Sequence, residues 1–154
     1  MERIASFQVD HNKLLPGLYR SRRDGSVTTF DLRFRKPNTG SLLTNAEMHS
    51  VEHIIATLLR NSPCRDGVIY FGPMGCQTGF YFLFDNAKIS EAEGISLLQD
   101  VFSAGADYNG EMPGCCAAEC GNYQNLDVAL ARKQCAYYRD IIQNWTVERL
   151  EYEK

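Results

Sequence analysis

The chain has 154 residues, of which 44% are hydrophobic, and its 16 basic and 19 acidic residues give a formal net charge of −3. This length fits one domain with a single core, and the small net charge argues against a nucleic-acid partner. The longest unbroken apolar run, Phe80 to Phe84, is far shorter than the roughly 20 residues of a membrane-spanning helix. The first seven residues lack a signal-peptide-like apolar stretch, so we expect a cytoplasmic protein without a membrane segment.

The N-terminal part of the chain is predicted to form strands. Apolar and polar residues alternate from Ser6 to His11, which indicates a short strand. Strands over 18–23 and 27–35 flank the Asp24-Gly25 pair, which favours a hairpin turn. Alternation in the second of these strands predicts an apolar face and a charged face, namely Phe30, Leu32 and Phe34 against Asp31, Arg33 and Arg35. We expect Arg35 and Lys36 to lie on a solvated surface.

Capping boxes mark the starts of two helices. Thr44-x-x-Glu47 predicts a helix that ends near residue 61, and Ser90-x-x-Glu93 predicts one that ends near residue 104. A third helix is predicted from about 126 to 145. Aromatic-rich strands over 68–71 and 80–85 enclose a glycine- and proline-rich loop, and 105–121 is expected to be irregular. We therefore predict one α+β domain over residues 1–154, with a mostly antiparallel sheet packed against helices.

Six cysteines form the most unusual part of the composition. An even number can indicate a disulfide framework, but such frameworks belong to short secreted chains, so free thiols are favoured here. The absence of any Cys-x-x-Cys pair excludes thioredoxin-type motifs and zinc ribbons. Four of the six are expected to be packing residues, the commonest role of a cytosolic cysteine. The six are Cys64, Cys76, Cys115, Cys116, Cys120 and Cys135.

A metal site is indicated on the first predicted helix. His49 and His53 are one helical turn apart and can reach a single ion, with Glu52 beside them. The His-x-x-Glu-His order combines two metal ligands with a carboxylate that can move protons. A His-His-Cys donor set suits Zn²⁺ or Fe²⁺ better than Mg²⁺. A third ligand must come from another segment, and three thiols compete for the position: Cys120, Cys115 and Cys116.

Cys76 lies between glycines in the predicted loop and has no evident packing partner. On its own, this position indicates only an exposed loop residue. A divalent cation nearby would favour the thiolate form, which can act as a base or a nucleophile.

Five sequence blocks occur in the order typical of one enzyme family. They are Ser6-Phe-Gln-Val-Asp-His11, Phe30-Asp-Leu-Arg-Phe34 followed by Pro37-Asn38, His49-Ser-Val-Glu-His53, Pro73-Met-Gly-Cys-Gln-Thr-Gly79 and Cys120-Gly121. With these blocks the chain resembles the S-ribosylhomocysteine lyases, the LuxS family of autoinducer-2 synthesis. It departs from the family pattern near position 70, where an acidic residue is expected and this chain has Tyr70.

The resemblance implies a homodimer with active sites at the subunit interface and one divalent metal ion per subunit, Fe²⁺ with Zn²⁺ as the alternative. The site residues that it implies fall into three groups: the metal ligands His49, His53 and Cys120; the proton-transfer residues Cys76 and Glu52; and the substrate-binding residues Ser6, His11 and Arg33.

The implied reaction cleaves the thioether of S-ribosylhomocysteine to homocysteine and 4,5-dihydroxy-2,3-pentanedione, the autoinducer-2 precursor. The sugar carbonyl has to migrate before β-elimination can expel the thiolate. The residues alone leave two alternatives open. An inverzincin-type metallohydrolase would take a distant glutamate as its third ligand and would not need Cys76. A non-enzymatic zinc-binding module would not need Glu52.

Overall fold

The computed structural model describes residues 1–153 and confirms the predicted α+β class, with an antiparallel sheet packed against helices. None of the helices within these residues has the length and apolar character needed to cross a membrane. The main elements are β1 (Gly17–Asp24), β2 (Val27–Arg33), α1 (Asn45–Arg60), β3 (Val68–Pro73), β4 (Gly79–Asp85), α2 (Glu91–Ala106) and α3 (Val128–Ile142). Short 3-10 helices lie at Ala5–Phe7, Arg65–Gly67, Tyr123–Asn125 and Val147–Arg149.

The four strands are ordered β1-β2-β4-β3, and the register gives the sheet two chemically different faces. Residues paired across strands project on the same face. Within β2 and β4 the pairs are Phe30 with Phe82, Asp31 with Tyr81, and Leu32 with Phe80. The helix-covered face therefore carries Phe30, Leu32, Phe80, Phe82 and Phe84. The open face carries Asp31, Arg33, Tyr81 and Leu83.

Aromatic rings fill the layer between the sheet and the helices. The rings of Phe34 and Tyr138 stack with centroids 4.2 Å apart, and Phe102 meets both of them from α2. Gly94 in α2 allows close packing, since a β-carbon there would lie 3.2 Å from the Phe30 ring. The helices thus cover one face of the sheet and leave the other face to loops and chain termini.

Both predicted capping boxes are present. The side chains of Thr44 and Ser90 accept hydrogen bonds from the backbone N–H groups of Glu47 and Glu93. α3 is shorter at both ends than predicted, because the Asp127 side chain caps its N-terminus and the helix ends at Ile142.

The predicted strand over Ser6 to His11 is wrong. Residues Ala5–Phe7 form a 3-10 helix, and turns follow it. Asp10 accepts a side-chain hydrogen bond from the backbone N–H of Asn12, which stabilises a local turn instead of a ladder. Phe7 is 63% exposed, so the alternating pattern does not reflect a half-buried strand.

The solvated surface expected at Arg35 is also wrong, although Lys36 is exposed as predicted. β2 ends at Arg33, and the backbone N–H groups of Phe34 and Arg35 both donate to the Thr78 carbonyl. The Arg35 guanidinium lies 4.5 Å from the centre of the Tyr137 ring and donates to a side chain of α3. That packing depends on a helix about 100 residues away in sequence, so it lies beyond the strand pattern.

The four cysteines expected to be packing residues divide into two pairs. Cys135 is buried and Cys64 is half-buried, whereas Cys115 and Cys116 are exposed, which corrects the expectation for those two. The exposed pair lies in the irregular segment between α2 and α3, which the glycine and proline content correctly predicts.

The C-terminal segment follows the free edge of the sheet. The Arg20 backbone N–H donates to the Leu150 carbonyl at 2.7 Å, and the Leu150 side chain is fully buried. Two residues later, the Tyr152 ring stacks on Tyr19 with centroids 4.9 Å apart. Residues 150–152 are thereby held beside β1 and reach the open face.

Candidate active site

α1 brings two histidine rings together on its half-buried flank. His49 and His53 are four residues apart, and their ring centroids are 4.6 Å apart at an interplanar angle of 90°. The adjacent stripe of the helix packs into the core through Val51, Ile54 and Ile55. This packing fixes the rotation of α1 and keeps both rings at the edge of the core.

Hydrogen bonds select the ring nitrogens that are free to bind a metal. Nδ1 of His49 donates to the Asn125 side-chain oxygen at 2.6 Å, and Nδ1 of His53 donates to the Pro113 carbonyl at 2.7 Å. A carbonyl only accepts, and the Asn125 amide nitrogen is already directed at Asn45. The protons therefore lie on Nδ1, and the Nε2 lone pairs remain for an ion.

Cys120 completes the metal group. Its Sγ lies 3.3 Å from Nε2 of His49, and the ligand atoms of His49, His53 and Cys120 all lie within 4.8 Å of one another. Tetrahedral zinc with ordinary bond lengths places a nitrogen and a sulfur ligand about 3.5 Å apart. The three donors therefore fit one ion with an open fourth position. Of the three candidate thiols, only Cys120 joins the group.

A local turn positions the Cys120 thiol. The Cys120 backbone N–H donates to the Cys116 carbonyl at 3.0 Å, and the Asn122 backbone N–H points at the Cys120 sulfur from 3.4 Å. These contacts hold the sulfur beside Nε2 of His49.

Glu52 lies on the same helix as the two histidines and is half-buried. Within residues 1–153, its carboxylate has no hydrogen bond or ion pair. An unpaired carboxylate beside a metal group is available for proton transfer.

The second group of predicted site residues lines a cavity of about 280 Å³ on the open face. Ser6, His11, Arg33 and Cys76 all contribute to its wall. Nδ1 of His11 donates to the Val9 carbonyl at 2.9 Å, so this hydrogen bond does not involve Nε2 of the ring. The structure thus brings together four residues that are separated by up to 70 positions in sequence.

Arg33 is a fixed positive charge in this cavity. Its side chain is 3% exposed, and its guanidinium donates to both carboxylate oxygens of Asp31 at 3.1 and 2.6 Å. Burial acts to lower the pKa of Arg33, but the charge and hydrogen bonds of Asp31 outweigh it and raise the pKa above the ordinary arginine value. Arg33 therefore remains protonated and keeps its orientation.

Cys76 is an exposed thiol at the end of a short hydrogen-bonded chain. Nη1 of Arg33 donates to the Thr78 hydroxyl at 2.7 Å and lies 3.9 Å from the Cys76 sulfur. The Thr78 oxygen lies 3.1 Å from the same sulfur. Since arginine only donates, the Thr78 hydroxyl accepts from Arg33 and can direct its own hydrogen at Cys76. The Cys76 sulfur therefore has a hydroxyl donor and a guanidinium beside it.

Within one chain, the metal group and the Cys76 cavity lie on different sides of the sheet. α1 belongs to the helix layer, whereas Arg33 and Asp31 project from the open face. None of the three metal-group residues lines the cavity.

Sequence reasoning misses four residues that support these groups: Asp31, Thr78, Asn125 and Tyr152. Asp31 was placed on the same strand face as Arg33, which is a usable signal for the ion pair. Thr78 lies two residues after Cys76 in the predicted loop. No sequence pattern marks Asn125 or Tyr152, because each acts through a contact with a distant segment.

Comparisons with known proteins agree with these observations. The sequence matches the family described as S-Ribosylhomocysteinase (LuxS) over residues 4–149. Three similar proteins are named S-ribosylhomocysteine lyase: those of Finegoldia magna at 43% identity, Desulfotalea psychrophila at 42% and Clostridium beijerinckii at 40%. Each alignment covers 99% of this chain and 99% of the relative. The chain belongs to the LuxS family of S-ribosylhomocysteinases.

Proposed function

We propose that this protein is a metal-dependent carbon–sulfur lyase that cleaves the thioether of S-ribosylhomocysteine to homocysteine and 4,5-dihydroxy-2,3-pentanedione. The observation that carries the proposal is the pairing, in one chain of this family, of a His-His-Cys donor set with an accessible thiol held beside a fixed guanidinium. The donor set can hold a Lewis acid, and the thiol can move protons between carbon and solvent.

The chemistry demands repeated proton transfers at carbon. A thioether is inert until a carbonyl lies two carbons from sulfur, so the sugar carbonyl must first migrate along the ribose chain. A divalent ion bound by His49, His53 and Cys120 would supply Lewis acidity to the sugar oxygens. Cys76, as the thiolate, removes a proton from one carbon and returns it to the next. Glu52 carries the matching protons between the oxygens.

The same thiolate then starts the β-elimination. Cys76 removes the proton between the carbonyl and the carbon that bears sulfur, and that electron pair forms the new double bond as the carbon–sulfur bond breaks. The leaving homocysteine thiolate takes a proton from a general acid. The oxidation change is internal to the sugar, so the reaction needs no redox cofactor.

Ser6, His11 and Arg33 are proposed to bind the substrate. Each lines the cavity that holds Cys76, and together they supply a hydroxyl, an imidazole nitrogen and a cation for the polar groups of the sugar and the amino acid. Asp31 already holds Arg33 in a bidentate ion pair, so the guanidinium loses little conformational entropy when a ligand binds to it.

We propose that the working form is a homodimer in which each site combines the metal group of one subunit with the Cys76 cavity of the other. The position of the two groups on different sides of one sheet supports this division. The open face also retains an exposed aromatic side chain that a second copy would cover, since Tyr70 is 51% exposed there.

We propose Fe²⁺ as the physiological ion, with Zn²⁺ as the competitor, because a His-His-Cys set suits either one. Metal analysis of protein purified without oxygen should give one iron per subunit. Predominant zinc under those conditions would contradict the iron assignment.

All six cysteines are free thiols, which supports a reducing, cytoplasmic location.

The direct test of the function is thiol release from S-ribosylhomocysteine by the purified, metal-loaded protein. A thiol-reactive dye measures homocysteine as it forms, and mass spectrometry identifies the dione. Absence of thiol release from protein with a full metal complement would contradict the lyase assignment.

A further inference from the structure

The C-terminal segment brings one more side chain into the Cys76 cavity. Tyr152 lines this cavity, although it lies 76 residues after Cys76 in sequence. Its ring stacks on Tyr19, and the segment before it is anchored by Leu150 and by an ion pair between Glu151 and Arg20. The ring is therefore held in one place by contacts outside the cavity.

The Tyr152 hydroxyl has a defined hydrogen-bond direction. It lies 2.8 Å from Oδ2 of Asp31, the oxygen that also accepts from Nη2 of Arg33. Burial, with a contribution from the Asp31 charge, raises the pKa of Tyr152 far above the ordinary tyrosine value. The hydroxyl therefore remains protonated and donates to the carboxylate.

This donation affects the other end of the hydrogen-bonded chain in two ways. It fixes the plane of the Asp31 carboxylate, and that plane fixes the guanidinium of Arg33 through two hydrogen bonds. It also takes up part of the negative charge of Asp31, which leaves more of the positive potential of Arg33 for the Cys76 sulfur. Both effects act on the Cys76 sulfur, because Nη1 of Arg33 holds Thr78 and faces Cys76.

We propose that Tyr152 is a positioning residue for the reactive thiol: acting through Asp31, Arg33 and Thr78, it holds Cys76 in its reactive state. The consequence for turnover rests on the proposed lyase function. The consequence for thiol reactivity does not, and it can be measured without substrate.

The first experiment measures alkylation of Cys76 by iodoacetamide at neutral pH in metal-loaded protein, with peptide mass spectrometry to separate its signal from those of the other thiols. Tyr152→Phe removes only the hydroxyl and should slow Cys76 alkylation by about threefold or more. Tyr137→Phe is the matched control, since its hydroxyl donates to the Phe34 carbonyl outside the cavity. The control should alkylate at the wild-type rate.

The second experiment tests whether the effect passes through the chain of hydrogen bonds. Thr78→Val removes the hydroxyl next to Cys76 and should slow alkylation on its own. If both hydroxyls act on the same thiol through Arg33, the double variant should be little slower than the slower single variant. Independent effects that multiply would overturn the proposed route. Thermal melting and metal content verify that each variant is folded and loaded.

Turnover supplies the third readout. Tyr152→Phe should lower kcat for thiol release about tenfold while KM rises by less, because both hydrogen bonds from Asp31 still hold Arg33 in place for the substrate. Cys76 alkylation and kcat that match those of Tyr137→Phe would overturn the proposal. If neither the wild-type protein nor any variant releases thiol, the proposed lyase function is wrong. The alkylation rates still decide the role of Tyr152.

Discussion

The two faces of the sheet differ in what their buried residues do. On the helix-covered face, phenylalanines from β2 and β4 pack against the helices, and α1 carries the histidines of the metal group at the edge of that core. On the open face, a buried ion pair between Asp31 and Arg33 takes the place of apolar packing. The exposed thiol of Cys76 lies beside it.

This difference separates a stability role from a chemical role. Burial of apolar side chains on the helix-covered face stabilises the fold. This stabilisation offsets the free-energy cost of desolvating the charged pair on the open face. In the proposed reaction each face also supplies one half of the chemistry: a metal donor set on the helix side, and a fixed cation with an exposed thiol on the open side.

The largest expected effect comes from removing one thiol on each side. Cys76→Ala and Cys120→Ala should each lower thiol release by at least about 1,000-fold, because one loses the base and the other loses the ion. Only Cys120→Ala should also lose its metal, as measured by elemental analysis. Cys64→Ala, at a half-buried thiol outside both groups, should retain metal and activity. Normal turnover in Cys76→Ala would disprove its role as the base.

The stability difference between the faces can be measured at adjacent residues of β4. Phe82→Ala should lower the free energy of unfolding by about 3–5 kcal/mol, since it opens a cavity in the aromatic core. Leu83→Ala, on the half-buried open face, should cost less than about 2 kcal/mol. If a second subunit covers the open face, the Leu83→Ala cost should depend on protein concentration. Urea unfolding at two protein concentrations tests both expectations. Equal losses of unfolding free energy in Phe82→Ala and Leu83→Ala would contradict the assignment of the two faces.

Loss of the hydrogen bond that orients His49 should have a smaller effect than the substitutions above, and it should change only the metal group. Asn125→Ala removes the acceptor for Nδ1 and should weaken metal affinity about 10- to 100-fold without unfolding the protein. Asn122→Ala is the matched control, because Asn122 contacts the Cys120 sulfur through its backbone. Competition with a metal-binding dye measures both affinities. Equal affinity in the two variants would contradict the orienting role of Asn125.

The buried thiol of Cys135 in the helix layer should make the free energy of unfolding depend on pH. Burial raises the pKa of Cys135 to about 12, whereas a thiol in the unfolded chain has a pKa near 8.5. As the pH rises, the thiol loses its proton in the unfolded chain before it does so in the folded protein. The free energy of unfolding therefore falls as the pH rises above about 8.5. Between pH 8 and 10 this single group should cost about 2 kcal/mol.

Replacing that thiol removes the cost. Cys135→Ala should have a weaker pH dependence of the free energy of unfolding by about 2 kcal/mol across the same window. Urea unfolding at pH 8, 9 and 10 makes the comparison. Parallel pH profiles for the wild type and the variant would contradict the burial argument.

Local signals in the sequence are sufficient for most of the fold and for the two histidines of the metal group. Capping boxes at Thr44 and Ser90 mark two helix starts, and the spacing of His49 and His53 marks the ligand pair. Local patterning fails in two ways. At the N-terminus, a 3-10 helix and the local turn at Asp10 replace the strand that the alternation predicts. The packing of Arg35 on α3 depends instead on a distant contact.

The supporting residues of the site show the same limit. Asn125 and Tyr152 gain their roles only when segments 76 and 121 positions away fold next to them. The separation of Cys76 from the metal group by the sheet likewise follows from strand order and register, which no single segment encodes.

We propose that the metal group of one subunit works with the Cys76 cavity of another, and a mixed dimer tests this division directly. Co-expression of Cys76→Ala and Cys120→Ala chains with two different tags allows the mixed dimer to be purified. Both parent dimers should be inactive. The mixed dimer should contain one intact site out of two and release thiol at about half the wild-type rate. A mixed dimer that retains its metal but is as inactive as its parents would contradict a site shared between the two subunits.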